Sequence, residues 1–290
     1  MPNLVDLIQA GEDIRKTGDP RTRDTFPVMM NPVFVFFYIT LYLYFVKIAG
    51  PRLMMERKPF QIKTLIRVYN LANVLINLRF MWVLLKYTYL PGGRYSLFCQ
   101  GISVSHDAVE TEFFGQFSWY FLIRFVEALD TVFFILRKKF NQVSRLHVIH
   151  HTLVAFNAWF WFLFAPEGQH LFGVCMNMFV HIVMSSYYFL STFGPEVTKY
   201  LWWKKYLTLM QISHFLIFIA HICIPLFVDC GFPRRLVPFA VAQVFLVLGL
   251  FSNFYYHNYI KRSDKIRNGA AAHVVNGCGL ERNNHVKKDN

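Results

Sequence analysis

Seven apolar stretches, each near twenty residues long, limit the folds open to this chain of 290 residues. They cover residues 33–49, 65–90, 117–136, 146–164, 170–191, 206–228 and 236–259. A helix needs ~20 apolar residues to cross a bilayer. Only 16% of the residues are charged and 55% are hydrophobic, a composition far from that of a soluble domain. The pattern predicts an all-α membrane protein with seven transmembrane helices.

Basic residues between the stretches predict the orientation. The segments after the first, third and fifth stretches, together with the C-terminal tail, contain eighteen Lys and Arg, and the segments on the other side contain seven. Cytoplasmic segments are the ones enriched in Lys and Arg. We therefore expect a loose luminal tail at 1–32 that includes a short helix on the membrane, a membrane domain at 33–260 and a cytoplasmic tail at 261–290. The net charge is +13, and in a chain this apolar we attribute the excess of Lys and Arg to segments that face the cytoplasmic side of a membrane, so we expect no nucleic-acid partner.

Two further expectations depend on that orientation. Cys99 and Cys230 fall on the same luminal side, where an oxidising compartment would permit a disulfide. Two free thiols fit the spacing equally well, and we predict the bridge. Lys287 and Lys288 stand fourth and third from the C-terminus, as in a dilysine retrieval signal, and predict a multi-pass protein of the endoplasmic reticulum membrane.

Polar residues concentrate at the cytoplasmic ends of four stretches. His147, His150 and His151 stand at i, i+3 and i+4, so that a helix places them on one face. Polar residues at similar depth on three other stretches are Arg124, Glu127, Asp130, Thr131, Asn177, His181, Thr208, Gln211 and His214. Ionisable groups inside a membrane are costly and mark functional sites. A polar pocket open to the cytoplasm above an apolar tunnel would suit a long-chain acyl thioester.

Four segments resemble the motifs of the very-long-chain fatty acid elongases, the ELO family of 3-ketoacyl-CoA synthases. RFVEALDT at 124–131 is similar to K-x-x-E-x-x-D-T, and HVIHH at 147–151 matches H-x-x-H-H. The segment 177–184 matches N-x-x-x-H-x-x-M, and TLMQISH at 208–214 is similar to T-x-x-Q-x-x-Q. LWWKKYLT at 201–208 is similar to the corresponding segment in the branch of the family that acts on saturated and monounsaturated acyl chains.

The resemblance implies that a long-chain acyl-CoA is condensed with malonyl-CoA, with loss of CO2 and CoA, to a 3-oxoacyl-CoA two carbons longer. It implies a closed barrel of helices two to seven around an acyl tunnel, with no bound cofactor and no metal. The expected partners are the bilayer, the two CoA substrates, other enzymes of the elongation cycle and further copies of the chain. Arg124, Ser185 and His214 depart from the usual Lys, Tyr and Gln, which bears on substrate preference and not on the reaction.

A histidine is the predicted nucleophile. Cys175 and Cys223 lie near the luminal ends of their stretches and are at the wrong depth. We expect His150 to attack through an acyl-imidazole intermediate, with His181 as its partner. The predicted catalytic set is His150, His181, His151, His147 and Asn177, supported by Glu127, Asp130 and Gln211. The residues expected to bind CoA at the cytoplasmic mouth are Arg124, Arg137, Lys139, Gln142, His147, Tyr187, Lys204 and Thr208.

Two alternatives compete with this interpretation. Membrane di-iron desaturases and hydroxylases also use H-x-x-H-H boxes, but they need several boxes to surround two metal ions, and this chain has one. Seven-helix receptors and transporters share the topology. The cluster opens to the wrong side for a receptor, and the chain has no internal repeat of the transporter kind.

Overall fold

The structure, a computed structural model, describes residues 3–102 and 107–261. All regular structure in these two ranges is helical, without a β-strand. The α-helices are α1 (Leu4–Lys16), α2 (Pro27–Met30), α3 (Pro32–Tyr44), α4 (Gly50–Met54), α5 (Lys63–Thr88), α6 (Ala108–Val126), α7 (Leu129–Leu136), α8 (Arg145–Phe164), α9 (Leu171–Ser191), α10 (Pro195–Thr198), α11 (Lys204–Ile222) and α12 (Leu236–Tyr255). The predicted signal at Lys287 and Lys288 lies outside the described residues.

Five helical segments of the described chain are long and apolar enough to cross a membrane. They are Pro32–Met54, Lys63–Thr88, Leu171–Ser191, Lys204–Leu226 and Leu236–Ile260. These segments coincide with the first, second, fifth, sixth and seventh predicted stretches. The fourth stretch is α8, a single helix of 20 residues whose histidines and asparagine lower its hydropathy. The predicted all-helical membrane architecture is confirmed, with five candidate crossings.

The third predicted stretch is divided, because α6 ends at Val126 and α7 begins at Leu129. Hydroxyl groups from other helices bind the carbonyl groups next to the break. The Tyr38 hydroxyl donates to Phe125 O at 2.7 Å, and the Tyr69 hydroxyl donates to Glu127 O at 3.3 Å. Inside a membrane a broken helix needs such partners. The break leaves Glu127 at the junction between the two helices.

Helix contacts run in a ring. Helix α5 packs against α6 and α9, α9 against α11, α11 against α12, α12 against α8, and α8 against α6. Helix α3 packs on the outside of α8. Trp82, Trp119 and Phe245 are more than half exposed on this bundle, as expected for residues that face lipid.

One end of the bundle contains the predicted disulfide, which joins Cys99 to Cys230. The segment around Cys99 also holds the connection between α8 and α9. Gln100 N donates to Gln169 Oε1 at 2.7 Å, and Gln169 Nε2 donates to Phe98 O at 3.1 Å. The connection passes through Gly168, whose φ of 107° lies in the region that favours glycine. We call this the disulfide end.

The N-terminal segment is packed against the disulfide end and is not the loose tail expected from its polarity. The Thr22 hydroxyl donates to Phe162 O at 2.6 Å, and the Arg21 guanidinium pairs with Asp19, Glu110 and Glu167. This segment contains a short helix, α1. Leu4, Val5, Leu7, Ile8 and Ile14 of this helix are exposed, which fits a helix whose apolar side meets lipid.

Candidate active site

A cavity of about 230 Å³ lies between α6, α8, α9, α11 and α12. Most of its wall is apolar, with Phe117, Phe121, Val154 and Phe218 among the lining residues. The polar residues that line it are Tyr120, Arg124, His150, Asn157, His170, Asn177, His214 and Gln243. A mostly apolar cavity with a few polar groups is typical of a site for a hydrophobic ligand that carries one reactive end.

Arg124 lies inside the bundle, 7% exposed, and not at a surface mouth. Its guanidinium donates to Asn177 Oδ1 and to Asn77 Oδ1, both at 3.1 Å. The same group lies 2.9 Å from Glu127 Oε1 and over the ring of Tyr120, 4.3 Å from its centroid. A buried cation needs this many partners, because removing it from water is costly.

His181 is oriented by the same carboxylate. Its Nδ1 atom lies 3.2 Å from Glu127 Oε1, and its side chain is 10% exposed. A carboxylate beside one ring nitrogen favours the proton on that nitrogen and leaves the other nitrogen as an acceptor. Glu127 at the α6–α7 junction therefore connects a histidine of α9 to an arginine of α6.

The three histidines of the box divide between two environments. His150 lines the cavity, whereas His147 Nε2 lies 2.8 Å from Thr131 Oγ1, which in turn lies 3.0 Å from the Tyr42 hydroxyl. His151 packs against His147 with ring centroids 4.4 Å apart. On a helix that turns ~100° per residue, the three positions spread over an arc of ~100°. The arc is wide enough for one histidine to face the cavity while two face α3 and α7.

The other predicted catalytic and supporting residues lie around this cluster. Asn177 lines the cavity and accepts from Arg124. Gln211 Nε2 lies 3.7 Å from Met184 Sδ. No hydrogen bond or ion pair between described residues joins Asp130 to a histidine, although Asp130 stands on the first turn of α7. The structure thus brings His150, Asn177 and Arg124 to one wall, with His181 and Glu127 behind it.

The residues predicted to bind CoA, apart from Arg124, lie away from the cavity wall. Lys204 is exposed at the first turn of α11, and the ring of Tyr187 packs against Trp203 at 5.1 Å. Burial lowers the pKa of Lys139, and the nearby charges of Arg137 and Lys63 lower it further. Lys63, Arg137 and Lys139 lie close together at the end of the bundle opposite the disulfide end. An anion bound there would reduce the repulsion between their charges. Gln142 is exposed just before α8, and Thr208 is buried on α11.

Sequence reasoning did not select Asn157, His170 or Gln243, all of which line the cavity. A signal existed for Asn157, which follows His150 by seven residues and so lies two helical turns along the same face. His170 precedes α9 in a connecting segment, and no periodicity indicates where such a residue lies.

Comparison with known proteins assigns the chain to a family. The model of the ELO family, described as GNS1/SUR4, matches residues 27–267. The chain belongs to the ELO family. It is 41% identical over 264 residues to very long chain fatty acid elongase 4 of Mus musculus, a match that covers 89% of this chain and 83% of the relative. Over 275 residues it is 40% identical to elongase 7 of Drosophila melanogaster, covering 93% and 80% of the two chains. Human elongase 1 is 36% identical over 266 residues, covering 90% and 92%.

Family membership confirms the resemblance noted in the motifs, and the chain is a fatty acid elongase, a condensing enzyme of the 3-oxoacyl-CoA synthase class. The comparisons give no support to a desaturase, a transporter or a receptor. In the described residues, no group of three or more His, Cys, Asp or Glu side chains is arranged to hold a metal ion.

Proposed function

We propose that this elongase joins a long-chain acyl-CoA to malonyl-CoA at the His150 end of the cavity, through an acyl-enzyme formed on His150. The observation that carries the proposal is the cavity itself, which connects His150 and Asn177 to an apolar wall along α8. An acyl chain in this cavity would bring its thioester carbonyl beside His150. Water would be excluded from the carbonyl by the surrounding apolar side chains, as an acyl-imidazole requires.

The reaction then proceeds in two steps. An imidazole nitrogen of His150 attacks the thioester carbonyl, the carbon–sulfur bond breaks, and CoA leaves as the thiol after it takes up the proton that the other ring nitrogen gives up. Malonyl-CoA loses CO2, the resulting enolate attacks the acyl carbon, and the bond between that carbon and the ring nitrogen breaks. The ring nitrogen takes up one proton from solvent, which restores neutral His150 and leaves the 3-oxoacyl-CoA. Asn177 is positioned to donate to the oxyanion that forms in either step, since its amide oxygen is held by Arg124.

We assign His181 to proton transfer or to stabilisation of the enolate. His150 interacts electrostatically with His181, Glu127 and Arg124. The carboxylate of Glu127 beside His181 Nδ1 leaves the other ring nitrogen free to accept or donate a proton in the second step. His147 and His151 support His150 through their packing and through Thr131.

The acyl-enzyme is tested by intact-mass measurement after the purified protein is incubated with acyl-CoA alone. We expect a mass increase equal to one acyl group, and we expect His150→Ala to abolish it. His257→Ala changes an exposed histidine at the end of α12 and should retain the adduct. Turnover in the wild type without any adduct would instead favour a direct reaction between the two bound substrates.

For the CoA moiety, we propose the basic end of the bundle as the binding surface. Lys63, Arg137 and Lys139 crowd there, and phosphate groups bind basic side chains of this kind. Lys204→Glu should raise KM for acyl-CoA by about tenfold and lower kcat by much less, because a contact to a remote phosphate contributes to binding in ground and transition state alike. The measurement is initial-rate kinetics with varied acyl-CoA.

Lys199→Glu is the matched control for that charge reversal. Lys199 is exposed near the same end but pairs with Glu196 at 3.0 Å, so its reversal should leave KM close to the wild-type value. An equal effect of the two substitutions would indicate general electrostatics and not a contact.

We also propose the arrangement of the enzyme in its membrane. The ring of helix contacts supports a closed barrel of α5, α6 with α7, α8, α9, α11 and α12, with α3 outside it, and hence seven crossings. The distribution of basic residues supports a luminal N-terminal segment over 1–32, a membrane domain over 33–260 and a cytoplasmic tail over 261–290. The endoplasmic reticulum is the location that fits a luminal disulfide. A cavity that opens to the cytoplasm would give other enzymes of the elongation cycle, or further copies of the chain, access to the product.

A further inference from the structure

The end of the cavity away from His150 contains a histidine, His170, one of whose ring nitrogens has no hydrogen-bond partner among the described residues. His170 is 5% exposed and lines the cavity just before α9. Its ring stacks on Trp161 with centroids 4.6 Å apart, and among the described residues its Nδ1 atom has no hydrogen-bond partner. Nearly all buried polar atoms in proteins have a partner, because leaving one unpaired is costly. His170 therefore offers an unused hydrogen-bonding group in the wall of the acyl tunnel.

The depth of His170 corresponds to the far end of a long acyl chain. Trp161, on which His170 stacks, lies eleven residues after His150 on α8, which is ~16 Å at a rise of ~1.5 Å per residue. An extended chain advances ~3.3–3.6 Å over three bonds, so that about 14 bonds span this distance. A group on the last carbons of a chain of about sixteen carbons would reach His170 when the carbonyl lies beside His150.

We propose that the far end of the tunnel is a binding site for the terminal hydroxyl of an ω-hydroxyacyl-CoA, and that this enzyme elongates such substrates. The inference rests on the proposed acyl position at His150. A hydroxyl both donates and accepts, so it pairs with His170 whichever ring nitrogen carries the proton. The cavity that His170 lines is mostly apolar, with Phe162, Leu171 and Phe218 among its lining residues, and a terminal methyl group would leave the nitrogen unpaired. Sites built to bind a hydroxyl discriminate against the analogue that lacks it.

The chemistry of the site selects a neutral polar group over a charged one. An ω-carboxylate would enter without a cation from the neighbouring ion-pair cluster, since Arg21, which pairs with Glu167 of the connection, also pairs with Glu110. Glu167 itself lies three residues before His170, and a second carboxylate there would be repelled. The predicted order of use is ω-hydroxyacyl-CoA ahead of the ω-carboxy analogue.

A second unpartnered polar atom serves as an internal control for depth. Asn157 Oδ1 is buried in the same cavity wall without a hydrogen-bond partner among the described residues. It stands only seven residues after His150, ~10 Å along α8. A hydroxyl at the end of a sixteen-carbon chain passes this level and reaches His170.

The test is a competition in one reaction. The purified full-length protein receives malonyl-CoA with equal amounts of 16-hydroxyhexadecanoyl-CoA and hexadecanoyl-CoA, and the two elongated products are quantified by mass spectrometry. The product ratio equals the ratio of the two kcat/KM values and does not depend on how much of a variant is folded. We expect the wild type to elongate the hydroxylated substrate and His170→Leu to shift the ratio against it by about tenfold or more.

Further variants and substrates make the result specific. His170→Gln, which keeps a donor and an acceptor, should restore part of the ratio, and His257→Leu should leave it unchanged. Asn157→Leu should shift the ratio less than His170→Leu, and hexadecanedioyl-CoA should be used less than the hydroxylated substrate. The proposal is overturned if the wild type elongates only hexadecanoyl-CoA, if His170→Leu retains the wild-type ratio, or if Asn157→Leu has the larger effect. Failure to elongate either substrate would overturn the proposed function as well.

Discussion

Glu127 is the residue on which two parts of the site depend. Its carboxylate lies 2.9 Å from the Arg124 guanidinium and 3.2 Å from His181 Nδ1. A neutral amide in its place would leave the cation of Arg124 buried without an anion and would no longer favour the proton on His181 Nδ1. The effect at one residue therefore reaches both the cavity wall and the histidine behind it.

We expect Glu127→Gln to lower kcat by about 100-fold, the low end of what general acid–base catalysis contributes, because His181 would lose the carboxylate that favours its tautomer. Asp130→Asn is the matched substitution. It removes a carboxylate three residues later in the chain, and among the described residues that carboxylate forms no ion pair with a histidine, in contrast to Glu127. Its effect on kcat should stay below about tenfold. Both are measured as steady-state rates on protein whose folding is verified by its melting temperature. Equal losses in the two variants would assign Asp130 a role as direct as that of Glu127.

The α6–α7 junction is the element that gives the site its shape. Two tyrosine hydroxyls, from α3 and α5, bind the carbonyl groups of Phe125 and Glu127 at the junction. A break in a membrane helix is stable only where such partners exist. The position of Glu127 thus depends on helices more than fifty residues earlier in the chain.

Removal of one of those hydroxyls should destabilise the protein. We expect Tyr38→Phe to reduce the free energy of unfolding by about 1–2 kcal/mol, because Phe125 O would lose its donor within the bundle. Tyr44→Phe alters the same helix at a residue that is 52% exposed, and it should be near neutral. Melting temperatures of the two variants in one detergent provide the comparison. A loss for Tyr44→Phe as large as for Tyr38→Phe would contradict this account.

The same junction marks the limit of prediction from sequence at the scale of elements. Hydropathy and length locate the long helices, because each needs ~20 apolar residues in a row. The segment RFVEALDT contains neither Pro nor Gly, the usual causes of a helix break. The break depends on tyrosines elsewhere in the sequence, and local pattern cannot reveal it. The packed N-terminal segment was missed for a similar reason, since its polar residues have partners that are distant in sequence.

Across the whole molecule, comparing depth along the predicted helices anticipates which polar residues lie at one level. It does not determine the rotation of each helix. Depth alone predicted that Arg124 lies at the cytoplasmic mouth of the pocket. In the structure its side chain lies inside the bundle and donates to Asn77 and Asn177. It also treated the three histidines as one face, whereas only His150 lines the cavity. Rotation is decided by packing between helices, which one sequence does not contain.

The disulfide end contains a buried charge cluster in addition to the one around Glu127. Arg21 is 5% exposed and pairs with Glu110 of α6 and Glu167 of the α8–α9 connection. The Tyr95 hydroxyl also donates to Glu167. This cluster joins the N-terminal segment to the connection whose residues Pro166 and His170 line the cavity.

We expect Arg21→Gln to reduce the free energy of unfolding by about 3–5 kcal/mol, because it removes one partner of a buried ion pair and leaves carboxylates uncompensated. Arg23→Gln, two residues later, removes a guanidinium that is 33% exposed and pairs with Asp24. Its cost should be about 0–1 kcal/mol, as for surface pairs. Melting temperatures in detergent provide the measurement, and equal losses in the two variants would contradict a buried role for Arg21.

The pH dependence of the Arg21→Gln variant identifies the group responsible. Burial raises the pKa of Glu167, while the Tyr95 hydroxyl and Arg21 oppose that rise. Without Arg21 the pKa of Glu167 should rise further above its value in the unfolded chain. A carboxyl group whose pKa is raised in the folded state destabilises the fold above that pKa, and the penalty declines as the pH falls from the folded-state pKa towards the lower unfolded-state pKa. The melting temperature of Arg21→Gln should therefore approach that of the wild type as the pH is lowered towards 5, and adding Glu167→Gln should remove this convergence. A gap between variant and wild type that stays constant with pH would show that lost packing, and not the uncompensated carboxylate, causes the instability.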